Sequence, residues 1–415
     1  MYLELKCSEI TLIGERIMKY VIFLGDGMAD YPIKDLGFKT PLQSADKPNM
    51  DALTKKARCG LLKTLVEGLP AGSDVANLSI LGYNPRTCSE GRGVLEAASM
   101  GIKVAEDEIV LRCNLICIQD GKIKSHSSGH ITSDEAAILI NDLNKALGSE
   151  MVKFYPGVSY RHVLVLKGHE FSKNVECTPP HDVLGTPMVK VMVKGDKLTS
   201  EFLNELILRS NQLLENHPVN LERAKKGKDK ANYIWPWSPG KKPNIEAFKD
   251  KFGKKGAVIS AVDLLQGIGI LAGFDVIKVE GATGLANTNY EGKANAVINA
   301  LKNHDFVYCH VEATDEAGHE GDYKLKVKAI EYLDKRLIGN VLKRLGEIDD
   351  DVSVAVLPDH FTPCSKKTHS MEPVPFLIYN PQKDGDSIQS FDEESCKKGS
   401  LINLEGGQFI AEFFG

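Results

Sequence analysis

MKYVIFLGDGMAD, at residues 18–30, decides the fold. Tyr20 to Leu24 is a short run of aromatic and aliphatic residues that breaks at Gly25 into Asp26 and Gly27. A run apolar at successive positions, not alternate ones, reads as a strand buried on both faces. Three more runs share the pattern. Phe306–Val311 leads into Glu312 and Asp315, Val352–Leu357 leads into Pro358, Asp359 and His360, and Phe376–Tyr379 follows His369. Amphipathic helical stretches separate them, such as Leu325–Leu345, where Leu333, Leu337, Val341 and Leu345 recur every four residues. Strand and helix in alternation predict an α/β class, with a mostly parallel sheet flanked by helices.

Working outward, residues 1–17 lack a basic start, a sustained apolar stretch and a small-residue cleavage site. They are read as a non-native or disordered N-terminal extension, with Met18 as the native start. A native peptide covering Leu3 to Arg16 in mass spectrometry would overturn that. The middle of the chain mixes short strand and helix patterns. Arg112–Ile118 runs into a hairpin-like Asp120-Gly121 turn. Ser133–Leu147 reads as a helix capped by Ser133 or Asp134. Residues 222–230 read as a charged, exposed loop, and Trp235 to Gly240 as a structural turn. Boundaries near 88–92 and 250 divide the chain. Residues 18–88 and 251–415 form one discontinuous core, and 89–250 form an inserted, smaller α+β domain.

With 415 residues there is ample material for two or three domains. Net charge is −5, which leaves no electrostatic footprint for nucleic acid and no polybasic membrane patch. No apolar run approaches the ~20 residues of a membrane span. The nine cysteines are odd in number and scattered, with no CxxC pair. They read as free thiols in a reducing compartment, the cytoplasm. Cys113 and Cys117 flank apolar residues and suit a strand better than a zinc knuckle.

The chemistry lies where the carboxylates and imidazoles fall. Asp26 follows the first strand, Asp315 and His319 (i, i+4) another, and Asp359 and His360 a third, while His369 precedes a fourth. In an open parallel sheet, ligands collect beyond the carboxyl ends of strands, so these six converge on one edge. Singly, each has a bland reading as a helix cap or turn residue. Together, Asp and His donors suit Mn²⁺ or Zn²⁺, with Mg²⁺ compatible, and six exceed what one four-coordinate ion needs. Ser73, in the Gly72-Ser73-Asp74 turn, opens an apolar helical run. A helix N-terminus favours phosphate and a developing alkoxide, although an N-cap serine is the commoner reading in isolation. Gly267, Gly269 and Gly273 lie inside an apolar helical stretch with GxGxxxG spacing, which fits close helix packing and not a dinucleotide loop. No GxxxxGK[ST] or GxSxG occurs, against a P-loop kinase and an α/β-hydrolase.

These residues resemble the cofactor-independent phosphoglycerate mutases, in the shorter archaeal-type branch of the alkaline phosphatase superfamily. The likeness is carried by Asp26 in GDGMAD, Ser73 in GSDVANLSILGYNP, Asp315 to His319 in DEAGH, Pro358-Asp359-His360 and Thr368-His369. EGRGVLEAASMGI, KGAVISAVDLLQGIGILAGF and GATG…NYEGKA add to it, in order across 18–415. The resemblance implies an alkaline-phosphatase-like core and a phosphate-ester substrate. It also implies two divalent ions (Mn²⁺ first, with Mg²⁺, Zn²⁺ or Co²⁺ as alternatives) and no 2,3-bisphosphoglycerate. One ion would take Asp315, His319 and His369, and the other Asp26, Ser73, Asp359 and His360. Ser73 would be the metal-activated nucleophile that carries phosphate between the 3- and 2-hydroxyls of glycerate. The inserted domain would be a water-excluding lid, since water in the site would make the enzyme a phosphatase. Its candidate substrate and proton-shuttle residues are Arg92, Arg112, His126, His130, Arg161, His181 and Asp182, arginine being suited to planar anions. The segment SHSSGH at 125–130 departs from the branch's pattern, which often carries arginine nearby. A sibling acting on another phosphate ester, such as the branch proposed as homoserine kinases, is the alternative, followed by a phosphatase and an inactive binding protein on the same fold.

Overall fold

The computed structural model describes residues 17–415. The reading of residues 1–17 as an extension therefore lies outside the described residues, apart from Ile17. Eight strands form the larger sheet, in the order Asp275–Val276, Gly256–Ile259, Phe306–Val311, Met18–Gly25, Asp351–Leu357, Val374–Tyr379, Arg58–Lys63 and Leu401–Glu405. Met18–Gly25 is central and pairs in parallel with Phe306–Val311 on one side and Asp351–Leu357 on the other. Val374–Tyr379 is the antiparallel member. The central strands are buried on both faces, as their unbroken apolar runs predict. Alternate side chains supply two cores. Val21, Phe23, Val307 and Val354 pack on one face of the sheet, and Tyr20, Ile22, Leu24, Phe306 and Leu357 on the other.

A second, antiparallel sheet of five strands stands over the carboxyl edge. Glu108–Gln119 is its axis, flanked by Lys122–Ser125, Arg161–Lys167 and Tyr233–Gly240, with Val152–Tyr155 outermost. Asp120 and Gly121, both at positive φ, make the expected two-residue hairpin. Helices Ser133–Leu147 and Lys197–Leu214 cover one face of this sheet, and Arg92–Ser99 packs Val94 and Ala97 against Val110, Val163 and Val165 on the other. Arg92–Ser99 also touches helix Asp263–Leu271 of the larger layer. There a Cβ on Gly267 would lie 2.1 Å from the Leu95 carbonyl oxygen. The glycine-rich stretch is thus a close helix crossing.

Four local expectations need correction. The helix at 133–147 is capped by Thr132, which accepts from the Glu135 N–H in a reciprocal box, so neither Ser133 nor Asp134 is the cap. Residues 222–225 end a helix, Pro218–Lys225, and Arg223 is 1% exposed. Its guanidinium is buried because it satisfies the Asp229 and Ser128 carbonyls and the Glu135 carboxylate. Trp235 to Gly240 belong to a strand. Its prolines are tolerated because this strand pairs on one side alone. Leu325–Leu345 is not one regular helix: it widens to a π turn over Leu333–Ile338, where the Asp334 carboxylate is drawn onto the backbone N–H groups of Asn49 and Met50.

Among the described residues no helix is long and apolar enough to cross a membrane. Cys113 and Cys117 lie in a strand, and all eight described cysteines are free.

Candidate active site

Three strand ends and one strand start deliver the carboxylates and imidazoles. Asp26 follows Met18–Gly25, Asp315 sits in the first turn of helix Ala313–Glu320, and Asp359 and His360 follow Asp351–Leu357. His369 precedes the antiparallel strand, which starts at the same edge. The turn after Asp26 must hug the site. Gly27 has φ +55°, and a Cβ there would lie 2.4 Å from Thr362 Oγ1 and 2.5 Å from Asp315 Oδ1, so only glycine fits. Buried Lys326 staples the same turn to the loop after His360, donating to the Ala29 and Thr362 carbonyls and to Asp30.

The six residues converge. Asp359 Oδ1 accepts from the Gly27 and His360 N–H groups at 3.0 and 2.9 Å, and its Oδ2 accepts from Asn77 at 3.0 Å. Asp315 lies 3.2 Å from His319 Nε2 and 3.6 Å from His369 Nε2. The rings of His360 and His369 stack at 3.8 Å. Asp26, Asp359 and His360 each offer a donor atom within 4.8 Å of the others, and so do Asp315, His360 and His369.

Hydrogen bonding assigns the tautomers. Thr362 has one hydroxyl proton and spends it on the Asp315 carboxylate, so it must accept from His360 Nδ1 at 3.1 Å. That leaves a lone pair on His360 Nε2. His369 Nδ1 donates to the Ala71 carbonyl and His319 Nδ1 to the Lys367 carbonyl. Their Nε2 atoms then meet 3.0 Å apart beside the Asp315 carboxylate, where without a cation a proton must sit between them. Imidazoles oriented by carbonyls on one nitrogen present the other to a cation.

The carboxylates here are strongly perturbed in opposite directions. Burial and the neighbouring Asp359 push Asp26 well above the usual carboxylate range. Asp315 would also rise on burial, but hydrogen bonds from His319 and His369 hold it well below. Its hydrogen bond lifts His319 to about 9. Asp26 Oδ1 is buried with no hydrogen-bond partner.

Ser73 is the first residue of helix Ser73–Ile80, after Gly72. It makes no capping bond, so the capping reading of this serine fails. Its Oγ lies 3.2 Å from His360 Nε2. The first helical hydrogen bond runs from the Ala76 N–H, leaving the N–H groups of Ser73, Asp74 and Val75 without a helical acceptor.

One cavity of about 260 Å³ contains Asp26, Ser73, Asp315, His319 and His369 together with Arg92, Arg112 and Arg161. The arginines come from the second layer, and the same face of its sheet carries Arg112 and Arg161. His126, His130, His181 and Asp182 are not brought to this cavity. His181 lines a neighbouring open groove with Gly72, Arg92 and Trp237. His126 stands 6.1 Å from His181, ring to ring, and His130 and Asp182 are exposed.

Several site residues escaped sequence reasoning. His310 Nε2 lies 2.8 Å from Asp26 Oδ2, and burial lowers its pKa to about 3, so it stays neutral and donates. Burial and the Asp315 charge raise Glu312 to about 7. Asn77 links Asp359 to the Ser73 carbonyl and accepts from Tyr308. A histidine inside an otherwise apolar strand was the available signal for His310. Thr362 and Asn77 had none.

A family model described as 2,3-bisphosphoglycerate-independent phosphoglycerate mutase matches residues 54–220. The protein of that name from Methanosarcina barkeri is 53% identical over 95% of this chain and 98% of its own length. The one from Methanothrix thermoacetophila is 47% identical, with the same shares covered. Among solved structures, PH0037 from Pyrococcus horikoshii superposes with a TM-score of 0.81 at 33% identity, covering 95% of this chain and 96% of that one. The cofactor-independent phosphoglycerate mutase from Thermoplasma acidophilum gives 0.68 at 27%, covering 96% and 100%. The alkaline-phosphatase-like α/β core expected from the sequence stands with these neighbours. At this identity and coverage, the chain belongs to the 2,3-bisphosphoglycerate-independent phosphoglycerate mutase family.

Proposed function

We propose that the cavity interconverts 3-phosphoglycerate and 2-phosphoglycerate through a phosphoserine on Ser73. The observation that carries this is the Ser73 hydroxyl, 3.2 Å from the His360 Nε2 lone pair, sharing a cavity with three arginines. The donor set fits two divalent ions, with Mn²⁺ the first choice. A buried Asp26 oxygen without a hydrogen-bond partner, and imidazole nitrogens gathered with Asp315 within 4.8 Å of one another, suit a cation. Asp315, His319 and His369 would hold one, and Asp26, Ser73, Asp359 and His360 the other. Bound there, the ions would supply charge neutralisation for the phosphoryl group and acidify the serine hydroxyl.

The residues do the rest. Ser73 Oγ bonds to phosphorus as the bond to the C3 oxygen of glycerate breaks. The helix N-terminus beneath Ser73 favours the anion that results. Arg92, Arg112 and Arg161 retain glycerate through its carboxylate while it turns. The C3 oxygen takes up the proton that Ser73 gave up. In the second transfer the C2 hydroxyl loses its proton as its oxygen bonds to phosphorus, and Ser73 Oγ, leaving phosphorus, regains one. Residues 18–88 and 251–415 serve as the phosphotransferase core, and 89–250 as the lid that excludes water. The protein works in the cytoplasm on a small phosphate ester, with neither nucleic acid nor membrane as partner.

The test is turnover of 3-phosphoglycerate with Mn²⁺ and without 2,3-bisphosphoglycerate, followed by phosphorus NMR. Appearance of 2-phosphoglycerate with little free phosphate is the expected result. Free phosphate as the main product would make the chain a phosphatase, and no reaction would direct the search to other phosphate esters.

A further inference from the structure

Besides the candidate ion ligands Asp26 and Asp315, four acidic residues, Glu96, Asp263, Glu312 and Glu316, line a cavity that is to bind an anion. Glu312 and Glu316 flank Asp315 on the cation-binding side. Asp263 is half exposed and reaches Arg161 only at 3.8 Å. Glu96 stands apart: it is largely buried, with 15% of its side chain exposed, and its Oε1 lies 2.8 Å from an amino group of the more deeply buried Arg112. A buried carboxylate weakens anion binding by Coulomb repulsion, so its presence needs a reason.

The surroundings of Arg112 supply one. Its guanidinium carbon lies 4.3 Å from the centre of the Trp237 ring. That ring is itself pinned, because Trp237 Nε1 donates to Asn114 at 3.0 Å. Glu96 takes one amino group, and Arg112 Nε is buried with no partner. The backbone carrying Glu96 is also fixed. Gly93 brings helix Arg92–Ser99 so close that a Cβ there would lie 2.9 Å from the Arg112 backbone nitrogen. The fork is therefore held on one face by Trp237 and on one edge by Glu96, and this cavity-lining side chain keeps an unpaired donor. A planar fork fixed in advance loses little entropy when it grips a carboxylate.

We propose that Glu96 is a positioning residue that, with Trp237, holds the Arg112 guanidinium so that its free donors grip the substrate anion and keep glycerate in the cavity between the two transfers. This rests on the mutase reading above. Glu96 acts through Arg112 and touches no reacting atom.

The sign of the effect separates positioning from charge. Removing a negative charge beside an anion site tightens binding if charge alone matters, and weakens it if orientation matters. The Mn²⁺-loaded full-length protein is titrated calorimetrically with 3-phosphoglycerate, and turnover is followed by phosphorus NMR, in wild type, Glu96→Gln, Glu96→Asp, Arg112→Ala and the Glu96→Gln/Arg112→Ala double variant. Glu96→Gln is expected to bind about tenfold more weakly, as loss of a charged hydrogen bond does. It should also raise the share of turnover ending as free phosphate severalfold, with an unchanged melting temperature. Glu96→Asp should recover most of the affinity, and the double variant should be no weaker than Arg112→Ala. Binding by Glu96→Gln as tight as wild type or tighter, or additive losses in the double variant, overturns the proposal. If wild type binds 3-phosphoglycerate without isomerising it, the mutase reading fails while the binding ratios still judge Glu96. If wild type does not bind it at all, both fall.

Discussion

On the core side of the cavity, Asp26, Asp359 and His360 hang from the ends of parallel strands, and each is no more than 1% exposed. Each is fixed by backbone or by a partner that is itself buried, such as Gly27, Thr362 and His310. On the opposite side, Arg92 and Arg161 come from a helix start and an antiparallel strand start and keep much of their surface in water. Arg112 alone there is buried and clamped. The contrast separates two tasks. Donors that bind ions must be desolvated, converging and immobile, since reorganising them during the reaction is costly. Cations that admit and then retain a substrate must give way on entry, which long, solvated side chains can do.

The largest effect that would test this division is loss of Ser73. Ser73→Ala should abolish transfer, by at least about 10⁴-fold, because the nucleophile is gone while the carboxylate and imidazole donors remain. The fold should be unchanged, and the ion that loses Ser73 as a ligand should bind more weakly. Retained mutase turnover in that variant would break the phosphoserine route. The next effect contrasts a buried donor with an exposed one. Asp359→Asn puts an amide N–H₂ where the carboxylate accepts from Gly27, His360 and Asn77. It should cost stability as well as more than about 100-fold in metal affinity, beyond the loss of an outer hydrogen bond. His319 is at the rim, with 39% of its side chain exposed. His319→Ala should lose one ion per chain and activity with it, at no cost in melting temperature. Metal analysis by mass spectrometry beside thermal denaturation checks both, and unchanged stoichiometry in either would refute the ligand assignment.

The same division explains what the sequence revealed. The core edge was legible because strand runs buried on both faces end in polar residues, and the ends of parallel strands converge by topology. Asp26, Asp315, Asp359, His360 and His369 needed no side-chain detail to be placed. The arginine wall was legible by residue type alone. Arg92, Arg112 and Arg161 reach the cavity, while His126, His130, His181 and Asp182 do not, and all seven looked alike in one dimension. Which face of a short antiparallel strand meets the site depends on register, and a slip of one residue reverses it. Arg223 misled for a related reason: a charge in a charged run reads as solvated until the carbonyls it satisfies are seen.

The relation between the two walls can itself be broken at Gly267. The crossing of helices Asp263–Leu271 and Arg92–Ser99 joins the layers, and the atom a Cβ would strike is the Leu95 backbone carbonyl, which cannot rotate away. Gly267→Ala should cost about 1–3 kcal/mol of stability despite alanine's better helix propensity. It should also raise KM, because the displaced helix carries Arg92 and Glu96. Gly346→Ala, where a Cβ meets nothing within 4 Å, is the neutral control. Equal melting temperatures for the two variants would mean that the layers are not locked there.

The last expected effect concerns acid and is read in the second layer. His162 lies in strand Arg161–Lys167, is 1% exposed, and accepts the Gly157 N–H on Nδ1, leaving Nε2 buried without a partner. Burial lowers its pKa from 6.5 to about 3. The sign follows from proton counting. Above pH 6.5 both the folded and unfolded chain hold His162 neutral, and folding is indifferent to it. Between 6.5 and about 3 the unfolded chain takes a proton that the folded chain refuses, so stability falls as pH falls. The slope is at most about 1.4 kcal/mol per pH unit, or about 3 kcal/mol by pH 4. His162 places its share of the loss in the layer that holds its imidazole, and buried His310 places a matching share in the core. Hydrogen exchange read by mass spectrometry should show peptides from 108–119 and 161–167 opening on acidification in wild type at a higher pH than in a variant lacking His162. His162→Asn keeps an acceptor for Gly157 and cannot titrate, so it should flatten the acid limb in those peptides. If the two layers open together in wild type, they form one cooperative unit, and the softer wall owes its give to side chains alone.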